Sequence, residues 1–129
     1  GYSAAILSHL AATVVALESD AALAQRATAA LAEIAADNAV VVDGPLVEGY
    51  PGQGPYNVIC IEGAVADVPK ALTDQLAEGG RLAAVIDGGS GPGHAVLMLK
   101  AGGVLSKRVL FDANILPLPE FERPAGFVF

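Results

Sequence analysis

The sequence predicts an α/β fold, with a doubly wound and mostly parallel sheet that ends in an antiparallel hairpin. Short apolar runs alternate with amphipathic helical segments over the first two thirds of the chain, as strands and helices do in parallel sheets. The run at residues 57–61, NVICI, is apolar throughout, as expected of a strand covered on both faces. The last third changes to two apolar runs around Ala101-Gly102-Gly103, a pattern typical of a hairpin.

Local patterns predict the bounds of each element. β-Branched and apolar runs predict strands at residues 13–17, 39–42, 57–61, 81–86, 94–100 and 104–111. Helical spacing of apolar residues predicts helices at residues 2–11, 20–36 and 68–76. Ser19 or Asp20 is the expected N-cap of the second helix, and Gly79-Gly80 the expected end of the third.

Composition excludes some classes of function. The chain has 129 residues, enough for a single domain, and 53% of them are hydrophobic, so it can build a core. Seven basic and fourteen acidic residues give a formal charge of -7, which argues against binding along a nucleic-acid backbone. Apolar stretches are all shorter than a membrane span.

The single cysteine, Cys60, lies in an apolar run and is expected to be a core residue. One cysteine cannot form a disulfide within the chain, so a reduced, cytoplasmic protein is the expected class. The sequence opens without a signal-peptide pattern, at Gly1 rather than at a methionine.

Two features at the start of the chain suggest a nucleotide site. Gly1 precedes a helix directly, as the last glycine of a ligand-binding turn does, although a chain end without a role explains it equally well. Glu18 follows the strand at residues 13–17, one helix and one strand after Gly1. An acid at that position can accept hydrogen bonds from ribose hydroxyls, and the alternative is a helix-capping role within Glu-Ser-Asp.

An ordered set of motifs resembles the protein-L-isoaspartate O-methyltransferase family. Residues 38–63 read NAVVVDGPLVEGYPGQGPYNVICIEG, with EGYP and PYN between two strands. VPKAL at residues 68–72, QL at 75–76 and GGRL at 79–82 follow in order, and the opening GYSAA is similar to the end of the family's nucleotide motif. The closing hairpin with its Pro/Phe tail also resembles that family, so the resemblance covers almost the whole chain.

The resemblance implies a Rossmann-like methyltransferase sheet that binds S-adenosyl-L-methionine. It also implies methyl transfer to the carboxyl of L-isoaspartyl residues in damaged proteins, which begins their repair. The implied cofactor-binding residues are Gly1, Tyr2, Ser3, Glu18, Gly44, Pro45, Leu46 and Glu62. The family's substrate contacts lie largely before the nucleotide motif, so the catalytic residues stay unknown.

Two positions depart from the family pattern. Relatives usually carry an acid after the loop glycine, where it meets the adenine amino group, whereas Gly44 is followed by Pro45 and Leu46. Asn57 stands where many relatives have aspartate, so the strand start lacks a negative charge. These departures support an alternative, a non-catalytic binding module on the same fold. A third interpretation is a nicotinamide-dependent oxidoreductase, and the C-terminal hairpin argues against it.

The remaining polar residues receive structural interpretations. His9 and His94 have no partner at metal-ligand spacing, so no metal site is expected. Ser90 lies in a glycine loop that is not a hydrolase nucleophile elbow, and Arg81 is expected to be a solvated charge at a strand end.

The resemblance also predicts that a strand is missing from the sheet. In the family, the first strand lies between those at residues 13–17 and 57–61, and here it would precede Gly1. We therefore expect an N-terminally incomplete domain over residues 1–129, inactive by itself. Preceding residues, strand donation by another chain, association of copies or a rearranged sheet would satisfy the free edges.

Overall fold

A computed structural model describes residues 2–89 and 91–121. Contacts divide the chain into two compact units, Gly1–Tyr50 and Pro51–Phe129, and each unit is described by itself. Gly1, Ser90 and the Phe127-Val128-Phe129 end of the tail lie outside the described residues. The expectation of one domain over residues 1–129 stays a prediction.

The first unit is a parallel strand–helix–strand motif preceded by a short helix. Its elements are α1 (Tyr2–Ser8), β1 (Val14–Glu18), α2 (Ala21–Glu33) and β2 (Ala39–Asp43). β1 and β2 pair in parallel from Val14 opposite Ala39 to Glu18 opposite Asp43. Ala4, Val14 and Leu31 form the buried centre of this unit, so both helices contribute to its core. The parallel pairing confirms the prediction made from strand–helix alternation.

Local hydrogen bonds explain where the helices begin and end. Asp20 Oδ1 accepts from the backbone N–H groups of Ala22 and Leu23, at 2.9 and 3.1 Å, so Asp20 rather than Ser19 caps α2. The helix ends at Glu33, earlier than predicted, since Ala35 adopts a φ of 54° that cannot continue a right-handed helix.

Asn38 joins the end of α1 to the start of β2. Its Nδ2 donates to Ser8 O at 2.7 Å and to Ala11 O at 3.0 Å. Its own carbonyl accepts from the N–H of Val14 at 2.8 Å. These bonds place the C-terminal end of α1 beside the amino ends of β1 and β2.

The second unit contains a four-stranded mixed sheet. Its elements are β3 (Tyr56–Val65), α3 (Lys70–Thr73), β4 (Leu76–Ile86), β5 (His94–Ala101) and β6 (Val104–Asp112). The strand order is β3-β4-β5-β6, with β3 parallel to β4 and the other pairs antiparallel. The terminal hairpin is thereby confirmed. The carboxylate of Glu78 accepts hydrogen bonds from the N–H groups of Gly102 and Gly103 and holds the hairpin turn.

The predicted helix at residues 68–76 is wrong beyond a single turn. α3 covers only Lys70–Thr73, and β4 begins at Leu76, which pairs with Tyr56. Gly79-Gly80 therefore lies inside β4 instead of ending a helix. A Cβ at Gly80 would come within 2.7 Å of Ala77 O and 2.9 Å of Tyr56 O, so glycine permits a close backbone approach there.

β3 is an edge strand of its sheet, and its first seven residues are exposed or half-buried, contrary to the prediction of a strand covered on both faces. Val58 is 60% exposed and Cys60 is exposed as well. The interpretation of Cys60 as a core residue is wrong, because Val58 and Cys60 lie on the same face of β3 and both are exposed. Only residues 63–65, at the end of the strand, are buried.

A segment near the end of the chain covers that buried end of β3. Ala64 donates its N–H to Leu116 O and accepts from Leu118 N–H, both at 2.9 Å, which forms a parallel bridge with Pro117. The Leu118 side chain occupies the space that a Cβ at Gly63 would need. Gly63 is thus required for close packing of this segment against β3.

Candidate functional site

The carboxyl ends of β1 and β2 place the candidate Glu18 beside Asp43 and Gly44. Glu18 lies opposite Asp43 in the parallel register, and Gly44 donates its N–H to Glu18 O at 3.0 Å. In parallel sheets, ligands bind outside the carboxyl ends of the strands. Glu18 and Gly44 therefore occupy the edge at which a ligand would be held.

Glu18 is half-buried, and one of its carboxylate oxygens has a partner. Oε1 accepts a long hydrogen bond of 3.3 Å from the backbone N–H of Asp20. Oε2 has no partner among the residues that the structure describes. Since Asp20 caps α2 itself, Glu18 is not required as the helix cap, and its second oxygen can accept from a ligand hydroxyl.

The loop after Gly44 is compact and offers an apolar surface. Pro45 is exposed and precedes a 3₁₀ turn at Leu46–Glu48, in which Leu46 is half-buried. Gly49 closes the turn with a φ of 62°, which glycine adopts without steric cost. Pro45 and Leu46 therefore follow directly after the Glu18–Gly44 edge, and their contact with a cofactor stays a prediction.

Tyr2 and Ser3 are the first described residues of α1. The Asn38 bonds fix only the other end of this helix, at the amino ends of β1 and β2. Tyr2 is 80% exposed and Ser3 is half-buried. Among the predicted cofactor residues, Gly1 lies outside the described residues and Glu62 belongs to the second unit.

Glu62 lies on an exposed part of β3, two residues after Cys60. The ladder between β3 and β4 is irregular here, with a register shift between Cys60 and Ala64. Desolvation of the thiol and the nearby Glu62 carboxylate raise the pKa of Cys60, because both disfavour the thiolate. Within the second unit, the charge of Glu62 therefore favours the protonated thiol of Cys60.

A pocket that the sequence analysis did not find lies at the carboxyl ends of β3 and β4. It has a volume of about 300 Å³ and is lined by residues 64–66, residues 87–89, Pro117, Leu118 and Phe121. Asp87 is its single charged lining residue. Asp87 donates its N–H to Val65 O at 2.9 Å, and its Oδ1 accepts from Gly89 N–H at 2.9 Å. The sequence indicates the glycine turn at residues 87–93 and the tail separately. No local pattern shows that the two segments line one pocket.

A larger depression of about 440 Å³ lies in the first unit, along α2 and β2. Half of its lining residues are alanines of α2; the others are Gln25, Thr28, Val41 and Asp43, and Asp43 is the one that is charged. This depression offers few polar partners, so the Glu18–Gly44 edge is the better candidate for a nucleotide.

The histidines show no metal-site geometry in the described part of the chain. His94 Nδ1 lies 2.9 Å from Asp112 Oδ1, an exposed pair across β5 and β6. Over residues 2–89 and 91–121, no group of three or more His, Cys, Asp or Glu side chains is arranged around a common metal position. Within the same ranges, every helix is too short or too polar to cross a membrane.

Comparison with known proteins identifies one family. The family model for protein-L-isoaspartate(D-aspartate) O-methyltransferase matches residues 1–120. The chain is 37% identical over 118 residues to a protein-L-isoaspartate O-methyltransferase of Methanoregula boonei, covering 92% of this chain and 54% of that protein. The corresponding protein of Koribacter versatilis is 41% identical over 119 residues, covering 92% and 53%. The chain thus spans about half the length of these curated relatives.

Solved structures show a similar fold. A protein-L-isoaspartate O-methyltransferase structure aligns with a TM-score of 0.77 at 26% identity, covering 82% of this chain and 34% of that one. A Plasmodium falciparum protein in complex with S-adenosyl-L-homocysteine aligns with a TM-score of 0.70 at 21% identity, covering 82% and 52%. The second likeness concerns the fold alone.

Proposed function

The chain belongs to the protein-L-isoaspartate O-methyltransferase family, and on this premise we propose that the protein containing it methylates L-isoaspartyl residues. The methyl donor in this proposal is S-adenosyl-L-methionine, and the acceptors are damaged proteins and peptides. Methylation would start their repair in the cytoplasm, a compartment consistent with the single cysteine.

The position of Glu18 beside Gly44 is the observation that supports cofactor binding by this chain. Glu18 is half-buried at the carboxyl end of β1, with Oε2 available to accept a hydrogen bond from a ribose hydroxyl. We propose that Gly1, Tyr2 and Ser3 line the same nucleotide site from the start of α1. Gly44, Pro45 and Leu46 would border its adenine side, and Glu62 is proposed as a further cofactor contact.

The chemistry requires positioning more than acid–base catalysis. S-adenosyl-L-methionine supplies an electrophilic methyl group on a sulfonium. The substrate carboxyl, with an ordinary pKa of about 4, is already ionised at neutral pH and needs no general base. The contribution of this chain is therefore to bind and orient the nucleotide, with the Glu18 carboxylate as its polar contact. The absence of a catalytic dyad in the sequence agrees with such a reaction.

The first test measures binding and methyl transfer together. We expect the protein to bind S-adenosyl-L-homocysteine but not NAD, and to label an isoaspartyl peptide but not its aspartyl isomer. Glu18→Ala should weaken binding about tenfold or more, because it removes a hydrogen bond to a charged group. Glu33→Ala, at the end of α2, is the control and should leave the dissociation constant unchanged. Unaltered affinity in Glu18→Ala would disprove the ribose assignment.

Pro45 and Leu46 favour one alternative, a binding module that holds the nucleotide without transferring a methyl group. Pro45 supplies neither a carboxylate nor an N–H to the exposed start of the loop. Binding of S-adenosyl-L-homocysteine without any labelling of isoaspartyl peptides would support that alternative. Binding of NAD would instead support the oxidoreductase reading.

A further inference from the structure

Two aspartates of the chain are followed by glycine, the neighbour that hinders the main-chain nitrogen least. They are Asp43, before Gly44, and Asp87, before Gly88. In such a pair the glycine nitrogen can attack the carboxyl carbon of the aspartate, because no Cβ shields the nitrogen. Since both pairs carry the same reacting groups, their surroundings in the fold decide which of them reacts.

The Asp43–Gly44 pair is held by the sheet of the first unit. Asp43 is the last residue of β2 and lies opposite Glu18 of β1 in the parallel register. The N–H of Gly44 donates to Glu18 O at 3.0 Å. A nitrogen whose proton is held by a backbone carbonyl must lose this hydrogen bond before it can attack the side chain beside it. The fold therefore protects Asp43.

The Asp87–Gly88 pair lies in the turn between β4 and β5. Gly88 is exposed, and its N–H donates no hydrogen bond to any residue in the described ranges. A Cβ at Gly88, Gly89 or Gly91 would meet nothing within 4 Å, so the turn is surrounded by open space. The Gly88 nitrogen is therefore accessible, and the turn has room to change its conformation.

A side-chain hydrogen bond brings the reacting groups of Asp87 and Gly88 together. Oδ1 of Asp87 accepts from the N–H of Gly89 at 2.9 Å, which is the pattern of an Asx turn. The ring that this bond closes contains both Cγ of Asp87 and the nitrogen of Gly88. The N–H of Asp87 donates to Val65 O at 2.9 Å and fixes the start of the turn. The carboxyl carbon is thus held on the same side of the chain as the nitrogen that can attack it.

We propose that Asp87–Gly88 is a site of spontaneous aspartate isomerisation in the folded protein, and that Asp43–Gly44 is protected from it. The Gly88 nitrogen bonds to Cγ of Asp87, and the proton of the nitrogen leaves with the carboxyl OH as water, which gives a succinimide. A second water then adds to the main-chain carbonyl of this ring, and the bond from that carbon to the Gly88 nitrogen breaks. The product is an isoaspartyl residue, and water is the only co-reactant.

Isomerisation at this position changes the pocket at the carboxyl ends of β3 and β4. The main chain of the turn becomes longer by one carbon, and the free carboxyl is then attached directly to Cα. Asp87 is the one charged residue among the described residues that line the pocket, so the reaction displaces this charge. The hydrogen bond from Gly89 to Oδ1 is lost as well. None of this depends on the proposed function, because only this chain and water take part.

The first test measures isoaspartate at residues 43 and 87 while the full protein is kept in warm neutral buffer without S-adenosyl-L-methionine. Tandem mass spectrometry with electron-transfer fragmentation distinguishes the two forms, because their main chains break into different fragments. In the folded protein, residue 87 should isomerise about tenfold faster than residue 43, a factor that corresponds to the net contribution of one hydrogen bond. In urea, where the strand pairing is lost, the two rates should become similar.

Gly88→Ala tests the attacking nitrogen. The added Cβ meets nothing within 4 Å, so the fold accommodates it, whereas the methyl group hinders attack by the adjacent nitrogen. Isomerisation at residue 87 should therefore slow about tenfold or more. The rate at residue 43 in the same variant is the internal control and should equal that of the wild type.

Each contrary result would overturn a definite part of the proposal. Equal rates at residues 43 and 87 in the folded protein, or no isoaspartate at residue 87, would refute the site. A difference that persists in urea would show that sequence neighbours, and not the fold, cause it. An unaltered rate at residue 87 in Gly88→Ala would refute attack by the Gly88 nitrogen. Methyl transfer enters none of these measurements, so failure of the proposed function would leave them unaffected.

Discussion

Glu18 and Asp20 lie two residues apart and have different partners. Asp20 accepts from two N–H groups at the start of α2, whereas Glu18 makes one long bond and keeps Oε2 available. The difference follows from position, because Asp20 stands at the N-cap and Glu18 is still the last residue of β1. One carboxylate thus stabilises the helix, and the other is the one that we propose binds the ribose.

Pro45 provides a prediction about the adenine side of the same edge. Pro45→Asp should tighten binding of S-adenosyl-L-homocysteine up to about tenfold, since a carboxylate could accept from the adenine amino group. Isothermal titration calorimetry measures the dissociation constant. Pro45→Ala is the matched control for loss of the proline ring. If the aspartate variant binds no more tightly than the alanine variant, the loop does not face adenine.

The raised pKa of Cys60 predicts how the alkylation rate of its thiol depends on pH. Desolvation and the Glu62 carboxylate raise the pKa of the thiol, so less thiolate is present at a given pH than in a free thiol. Iodoacetamide should therefore modify Cys60 more slowly at pH 8 than it modifies glutathione, with the rate still rising at higher pH. Glu62→Gln should lower the pKa and speed alkylation by up to about fivefold, as judged from mass shifts over time.

Unfolding in urea gives the control for this experiment. Desolvation is lost in the unfolded chain, so Cys60 should then react like an ordinary thiol in both the wild type and Glu62→Gln. A wild-type rate that is equal in the folded and unfolded protein would contradict the stated effect of its environment.

At the scale of elements, the pairing of β3 with β4 depends on a glycine. A Cβ at Gly80 would meet backbone oxygens of Ala77 and Tyr56, which cannot move without disturbing the strands. Gly80→Ala should lower the free energy of unfolding by about 1–3 kcal/mol, measured by urea denaturation. Gly88→Ala is the control, because nothing lies within 4 Å of its added Cβ. Equal stability of both variants would contradict the close approach at Gly80.

The pairing of β3 with β4 also explains why the helix predicted at residues 68–76 forms only one turn. Residues 68–76 have helical spacing, but Leu76 is 2% exposed as the first residue of β4, opposite Tyr56. Burial and ladder hydrogen bonds stabilise the extended conformation more than intrinsic propensity stabilises a second helical turn. Pro69 and Lys70 still start a helix, which ends at Thr73.

At the scale of the whole molecule, the two outer strands of the four-stranded sheet have different edges. β6 is exposed at every position but carries Lys107 and Arg108, and charges of this kind hinder edge-to-edge pairing. β3 is apolar from Val58 to Ile61. Unwanted pairing with another chain is therefore expected at β3 rather than at β6.

A protein made of these 129 residues alone should associate through that edge. Light scattering should give an average mass above that of one chain, rising with concentration. Val58→Lys should lower the average mass, because it places a charge on the exposed β3 edge. Leu105→Lys, on β6, is the matched control and should have little effect. A wild-type chain that stays monomeric at all concentrations and methylates an isoaspartyl peptide would contradict this prediction.

The sequence by itself determined the features that depend on neighbours along the chain. The parallel strand–helix–strand unit follows from alternating patterns, and the hairpin from its glycines. The cap of α2 was narrowed to Ser19 or Asp20, and the structure shows that it is Asp20. Family membership was also accessible, because the ordered motifs extend over nearly the whole chain. Glu18 was found in the same way, as an acid at the end of a recognisable strand.

The tertiary structure alone decided the features that depend on residues far apart in sequence. Leu76 becomes a strand residue because Tyr56 lies beside it, and Cys60 is exposed although it lies in an apolar run. The pocket with Asp87 exists because the tail places Leu118 on Gly63, more than fifty residues earlier in the chain. Periodicity and propensity report only local preferences, whereas burial and pocket shape arise from contacts that form when distant segments meet.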